Sequence, residues 1–123
     1  MRIMTRFIYI IFFLFLCINV SAQKSDDYIR KQLDKGISCV NRNDYESSLD
    51  YFNMALNEAV KKYGDNSGAV IACKSQLANS YFNLSRYEEA LDIFLDVAKF
   101  QKTKYGPNSQ EYAIQLDHIA THH

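Results

Sequence analysis

Apolar side chains fall along this chain in two patterns. From Phe7 to Ile18 they run without interruption, and from Tyr28 onward they recur at helical spacing among charged and amide residues. Tyr45, Leu49, Phe52, Leu56, Ala59 and Tyr63 follow one another at steps of three and four, which sets them on one face of a helix. Tyr87, Leu91, Phe94, Ala98 and Tyr105 repeat that stripe. A shorter helix is predicted before each: Tyr28 to Val40, marked by Ile29, Leu33, Ile37 and Val40, and Val70 to Leu84, marked by Cys73, Leu77, Tyr81 and Leu84. A fifth is predicted from Ser109 to about Thr121, with Tyr112, Leu116 and Ile119 inward and Gln110, Gln115, Asp117 and His122 toward water.

Polar punctuation separates these elements. Asp44 can cap the helix that opens at Tyr45, Ser85 with Glu88 spells a capping box, and Asn108 with Glu111 offers another. Gly64 and Gly106-Pro107 follow the ends of the two long stripes, where glycine supplies a left-handed turn.

Sliding the chain by 42 positions superposes Tyr45-Glu46-Ser47-Ser48-Leu49-Asp50-Tyr51-Phe52 on Tyr87-Glu88-Glu89-Ala90-Leu91-Asp92-Ile93-Phe94, and Lys62-Tyr63-Gly64-Asp65-Asn66-Ser67 on Lys104-Tyr105-Gly106-Pro107-Asn108-Ser109. Over 45–67 ten of 23 positions are identical. A fixed period of this length signals a stacked array, since one helix pair cannot bury its stripe alone.

The segment Leu77-Ala78-Asn79-Ser80-Tyr81-Phe82-Asn83-Leu84-Ser85-Arg86-Tyr87-Glu88-Glu89-Ala90-Leu91 resembles the tetratricopeptide repeat, with Phe94 where that family has its large second-helix aromatic. The earlier copy keeps Gly36, Tyr45, Phe52 and Ala55, but Lys35, Cys39 and Ser48 replace the family's Leu, Tyr and Ala. The 42-residue spacing is similar to that of the extended repeats of kinesin light chain. The resemblance implies an all-α fold of antiparallel helix pairs stacked as a right-handed superhelix. Repeat 1 would span about 26–63, repeat 2 about 67–105 and the final helix about 109–121, the last either capping the array or opening a truncated third unit.

It also implies a non-catalytic scaffold that holds a protein or peptide ligand in a concave groove lined by the first helix of each pair. The matching positions are Arg30, Leu33, Ile37, Val40 and Asn41 in the first unit and Ser75, Asn79, Phe82 and Asn83 in the second, with Asp117 and Thr121 as additions from the last helix. Asn79 is the leading candidate, because an exposed carboxamide can both donate to and accept from a peptide backbone. The Lys and Arg with which some members clamp a peptide carboxylate are absent at Leu33 and Ser75.

Composition narrows the remaining choices. The chain has 123 residues with four Gly, one Pro and no Trp, too little turn chemistry for a β-sandwich. Fourteen basic residues balance fourteen acidic ones, which excludes the basic footprint of a nucleic-acid binder. The run Phe7–Ile18 behind Arg2 and Arg6 is shorter than a bilayer span and reads as a signal-peptide core, with cleavage expected after Ala22 and a secreted or periplasmic domain over 23–123. An uncleaved leader would give the only membrane attachment, and the Leu16 that precedes Cys17 argues against a lipid anchor.

Two groups carry candidate chemistry. Cys39 and Cys73 are read as small apolar core residues, with a disulfide permitted in an oxidising compartment. His118 and His122 share a helical face beside His123, but no acidic or thiol ligand completes a set. Adjacent carboxylates such as Asp26-Asp27 and Glu88-Glu89 point apart on a helix, and glycine-rich phosphate loops are absent. No catalytic residue, cofactor or metal is therefore assigned. Two other readings stay open besides the scaffold: the front of a longer sensor or surface-assembly protein, and, ranked lower, a metal-binding protein acting through the histidines. Self-association of the array ends is also left open.

Overall fold

A computed structural model describes residues 24–121. The expected leader, 1–22, and His122 and His123 lie outside the described residues. The described chain forms five helices and no strand: α1 over 24–41, α2 Tyr45–Tyr63, α3 Gly68–Asn83, α4 Tyr87–Tyr105 and α5 Gln110–Thr121. Each of the last three packs on the helix before it, and α1 joins the core that α2 and α3 share. None of the described helices is long and apolar enough to cross a membrane.

The period of 42 is written into the turns as well as the helices. Asn43 and Ser85 occupy equivalent places and both are left-handed, with φ of 60° and 62°. At the first, Asp44 N–H donates to Cys39 O at 2.8 Å and Asn43 N–H to Val40 O at 2.9 Å. At the second, Arg86 N–H donates to Tyr81 O at 2.9 Å and Ser85 N–H to Phe82 O at 3.0 Å. These paired bonds satisfy the last carbonyls of α1 and α3. Ser85 thus closes α3 rather than opening α4, whose N-cap is Arg86 with no side-chain bond, so the expected capping box does not form. Asp44 does cap α2, accepting from Ser47 N–H at 3.3 Å. Ser67 caps α3 through Val70 N–H, and Ser109, not Asn108, caps α5 through Tyr112 N–H. Gly64 and Gly106 turn the chain out of α2 and α4 with φ of 83° and 96°.

Small residues let these helices approach closely. Ala55, Ala59, Ala78 and Ala90 are fully buried, and a Cβ at Gly36 would stand 2.4 Å from Phe52 Cε1. Phe52 fills the space so opened, with Leu49 and Leu77 against it. One cluster joins Ile29, Ala55, Ala59, Val70 and Cys73 across α1, α2 and α3; a second joins Ala78, Ala90 and Phe94 across α3 and α4. Between α2 and α3 the buried Ser48 and Ser80 hydroxyls bond each other at 2.8 Å, and Ser48 Oγ also donates to Tyr45 O. This satisfies groups that would be costly to bury alone.

The last helix departs from the pattern the sequence suggests. Gln115 turns inward and Leu116 is 44% exposed, the reverse of the expectation, while Tyr112 and Ile119 are half-buried as expected. The face of α5 laid on α4 follows the 42-residue register, in which Gln115 takes the place of buried Cys73 and Leu116 that of Lys74. Gln101 Oε1, Gln115 Oε1 and His118 Nδ1 are buried with no hydrogen-bond partner among the described residues.

Candidate peptide-binding face

The candidates on α1 and α3 stand in matched pairs one period apart: Leu33 with Ser75, Ile37 with Asn79, Val40 with Phe82, and Asn41 with Asn83. Their environments match only partly. Arg30, Ile37, Asn41, Asn79 and Asn83 are exposed, whereas Leu33, Val40, Ser75 and Phe82 are half-buried. Leu33 and Val40 pack on the Leu49–Phe52–Leu77 cluster, and Phe82 on the Ala78–Ala90–Phe94 cluster with its ring 5.3 Å from that of Tyr87. These three therefore lie half-buried against the core, while Arg30, Ile37, Asn41, Asn79 and Asn83 stand exposed.

Hydrogen bonds separate the polar members further. Ser75 Oγ donates to Ile71 O at 2.9 Å and Asn83 Nδ2 to Asn79 O at 2.7 Å, so both are committed to their own helix. The Asn79 carboxamide has no hydrogen-bond partner among the described residues and stands free to pair with a peptide backbone. Beside it in register, Ile37 is 39% exposed and offers an apolar contact. Asp117 is exposed on α5, and of the Thr121 side chain nothing is described.

The other candidate groups have structural roles. Cys39 and Cys73 are free thiols and buried. Burial pushes the Cys73 thiol up to about 11, which keeps it protonated and a poor nucleophile at neutral pH. The ring of His118 lies 5.1 Å from that of Phe94, as part of the α4–α5 packing.

Sequence reasoning missed a cavity of about 590 Å³ between the start of α3 and the end of α4. Ile71 and Phe100 give it apolar walls, and Lys74, Lys99 and Lys104 surround it, with Asp65, Asn66, Asp96 and Thr103 completing the lining. A signal for it exists in the repeat itself. At the corresponding place in the first unit Lys62 is bound to Asp26 at 2.6 Å, Tyr63 Oη donates to the same carboxylate, and Ser25 Oγ donates to Glu58 at 2.8 Å. One period later, Asp26 has become Gly68 and Glu58 has become Phe100.

Set against known proteins, residues 70–111 match the family model of the tetratricopeptide repeat. That stretch is one full period, running from the first turn of α3 through α4 into α5. No curated protein matches the chain.

Proposed function

We propose that this chain, a stack of helix pairs carrying a tetratricopeptide repeat match over 70–111, is a non-catalytic protein-interaction scaffold that holds an extended or helical peptide on the α1–α3 face. The observation that carries the reading is the open pair Ile37 and Asn79. Equivalent in register and exposed in both units, they place an apolar contact and an unengaged carboxamide on the helices that carry half-buried Leu33, Val40 and Phe82. Such a combination suits a segment whose side chains alternate between a groove and solvent. The leader expected at 1–22 supports a secreted or periplasmic location, which N-terminal sequencing of the protein from its source would test by a start at Gln23.

Because Phe82 also packs on Phe94 and Ala90, its removal would weaken the fold together with the face. The test therefore uses Ile37→Ala with Asn79→Ala. The double variant should lose its captured partner from the native compartment while keeping its helical melt; retained capture would refute the assignment.

A second reading, an array that continues beyond α5, rests on a specific surface. On α3 the positions Ile71, Lys74 and Ala78 face α4. Their equivalents on α5 are Ala113, Leu116 and Ala120, all exposed, a strip of the kind a following helix would cover. The mass of the native protein discriminates. With the start fixed by N-terminal sequencing, a value above that of the residues from that start to His123 supports continuation, and one at or below it refutes it.

A further inference from the structure

Comparing the two repeat units at their open ends shows one crevice filled and the other not. In the first unit the chain supplies its own acid. Asp26, on the first described turn of α1, reaches Lys62 and Tyr63 at the end of α2. Lys104 and Tyr105 stand one period later at the end of α4, but the register position of Asp26 is taken there by Gly68, two residues after the lining residue Asn66. Around a Cβ built there, no atom beyond its chain neighbours and its own helix backbone comes within 4 Å. Among the described residues Lys99 and Lys104 have no carboxylate partner, and the Lys104 ammonium lies instead over the rings of Phe100 and Tyr105, at 5.4 and 5.3 Å.

We propose that this crevice is a second docking site, taking an aspartate or glutamate side chain of a partner polypeptide in the place that Asp26 occupies in the first unit. The incoming carboxylate pairs with Lys104 and Lys99. The exchange of Glu58 for Phe100 suits that role. It removes the acid that would repel such a ligand and gives the residues flanking it an apolar wall, with Ile71 opposite. Two acids line the crevice with the lysines, Asp65 and Asp96, and Asp96 is held by Lys74 at 3.7 Å. The three lysines exceed the two aspartates of the lining by one positive charge, so an anionic segment is favoured over a cationic one. The site is built by the start of α3 and the end of α4 and shares no residue with the α1–α3 face.

The chain's own sequence provides the probe. A capped peptide of residues 24–30, Lys-Ser-Asp-Asp-Tyr-Ile-Arg, is titrated into the isotope-labelled protein, alongside a control peptide with Asn at both aspartate positions. The acidic peptide should give saturable amide shifts at Gly68, Lys99, Thr103 and Lys104 that shrink as salt is raised; the amide control should give none. Lys104→Gln should weaken binding about two- to fivefold, the range of one exposed ion pair. Gly68→Asp, on an exposed first turn with room for the side chain, should fill the site from within and abolish the shifts while the helical melt is kept. Equal shifts with both peptides, shifts centred on Ile37 and Asn79, or undiminished binding by Gly68→Asp would overturn the proposal.

Discussion

The α2–α3 and α4–α5 interfaces occupy the same place in successive periods, yet they are built of different material. In the first, Ala59 meets Val70 and Cys73 in an apolar cluster, and the buried hydroxyls of Ser48 and Ser80 satisfy each other. In the second, the residues equivalent to Ala59, Val70 and Cys73 are Gln101, Tyr112 and Gln115, and the two amide oxygens are buried without partners among the described residues. The backbone register alone thus secures the geometry of stacking, while the side chains decide how strongly each layer is held. Opening should begin at α5 and spread inward, since the layer with the poorest polar satisfaction has the least free energy opposing local unfolding.

The largest test of that contrast is at the two second-helix phenylalanines. Phe52→Ala should cost about 3–5 kcal/mol, because the ring is fully buried and Gly36 was shaped around it. Phe94→Ala should cost less, as its neighbours on α5, His118 and Ile119, are only half-buried; urea denaturation of both variants measures the difference, and equal losses would erase the distinction. Next comes the serine pair. Ser48→Ala strands the buried Ser80 hydroxyl and should cost about 1–3 kcal/mol, and adding Ser80→Ala should recover part of the loss. A double-mutant cycle with no coupling would refute this account of the pair. In the opposite direction, Gln101→Ala with Gln115→Leu makes the outer layer resemble the inner one. It should raise stability by about 1 kcal/mol and slow amide exchange in α5 selectively.

The smallest effect lies at the open ends. Hydrogen bonds from Lys62 and then Tyr63 hold the Asp26 carboxyl below its ordinary value. The native protein therefore binds fewer protons than the unfolded chain across that range. The stabilisation is present above the unfolded value, about 4, and disappears as pH falls through the folded one. Asp26→Asn should lower the melting temperature slightly at neutral pH, and the two curves should converge in acid. A difference that persists below that range would mean the aspartate acts otherwise than through its charge.

Much of this was legible in the chain, and where the reading failed the repeat could have corrected it. The stripes through Leu49, Phe52, Leu77 and Phe94 gave the core because burial enforces helical periodicity. On the short α5, however, stripes through 115 and through 116 both satisfy that period, and hydrophobicity favoured Leu116. The register with buried Cys73 favoured Gln115, and the structure follows the register. Ser85 misled for a related reason. Ser-x-x-Glu reads as a capping box, but its equivalent Asn43 is a residue type that tolerates left-handed backbone, which marks a helix end. The candidate face was legible as positions and not as states. Spacing placed Asn79 and Asn83 together, but only hydrogen-bond geometry shows that Asn83 donates to the Asn79 carbonyl while the Asn79 side chain bonds none of the described residues. The crevice at Gly68 required both kinds of knowledge, since the loss of an aspartate matters only once Lys62 is seen to hold its counterpart.

The matched left-handed turns at Asn43 and Ser85 carry a consequence for how such a molecule can change length. With the same backbone bonds closing α1 and α3, a cut through one turn and a splice into the other would join chain ends of the same direction and handedness. Gain or loss of a whole period by recombination would then leave every remaining junction intact, so that length in this architecture varies in modules while the fold of each module stays unchanged.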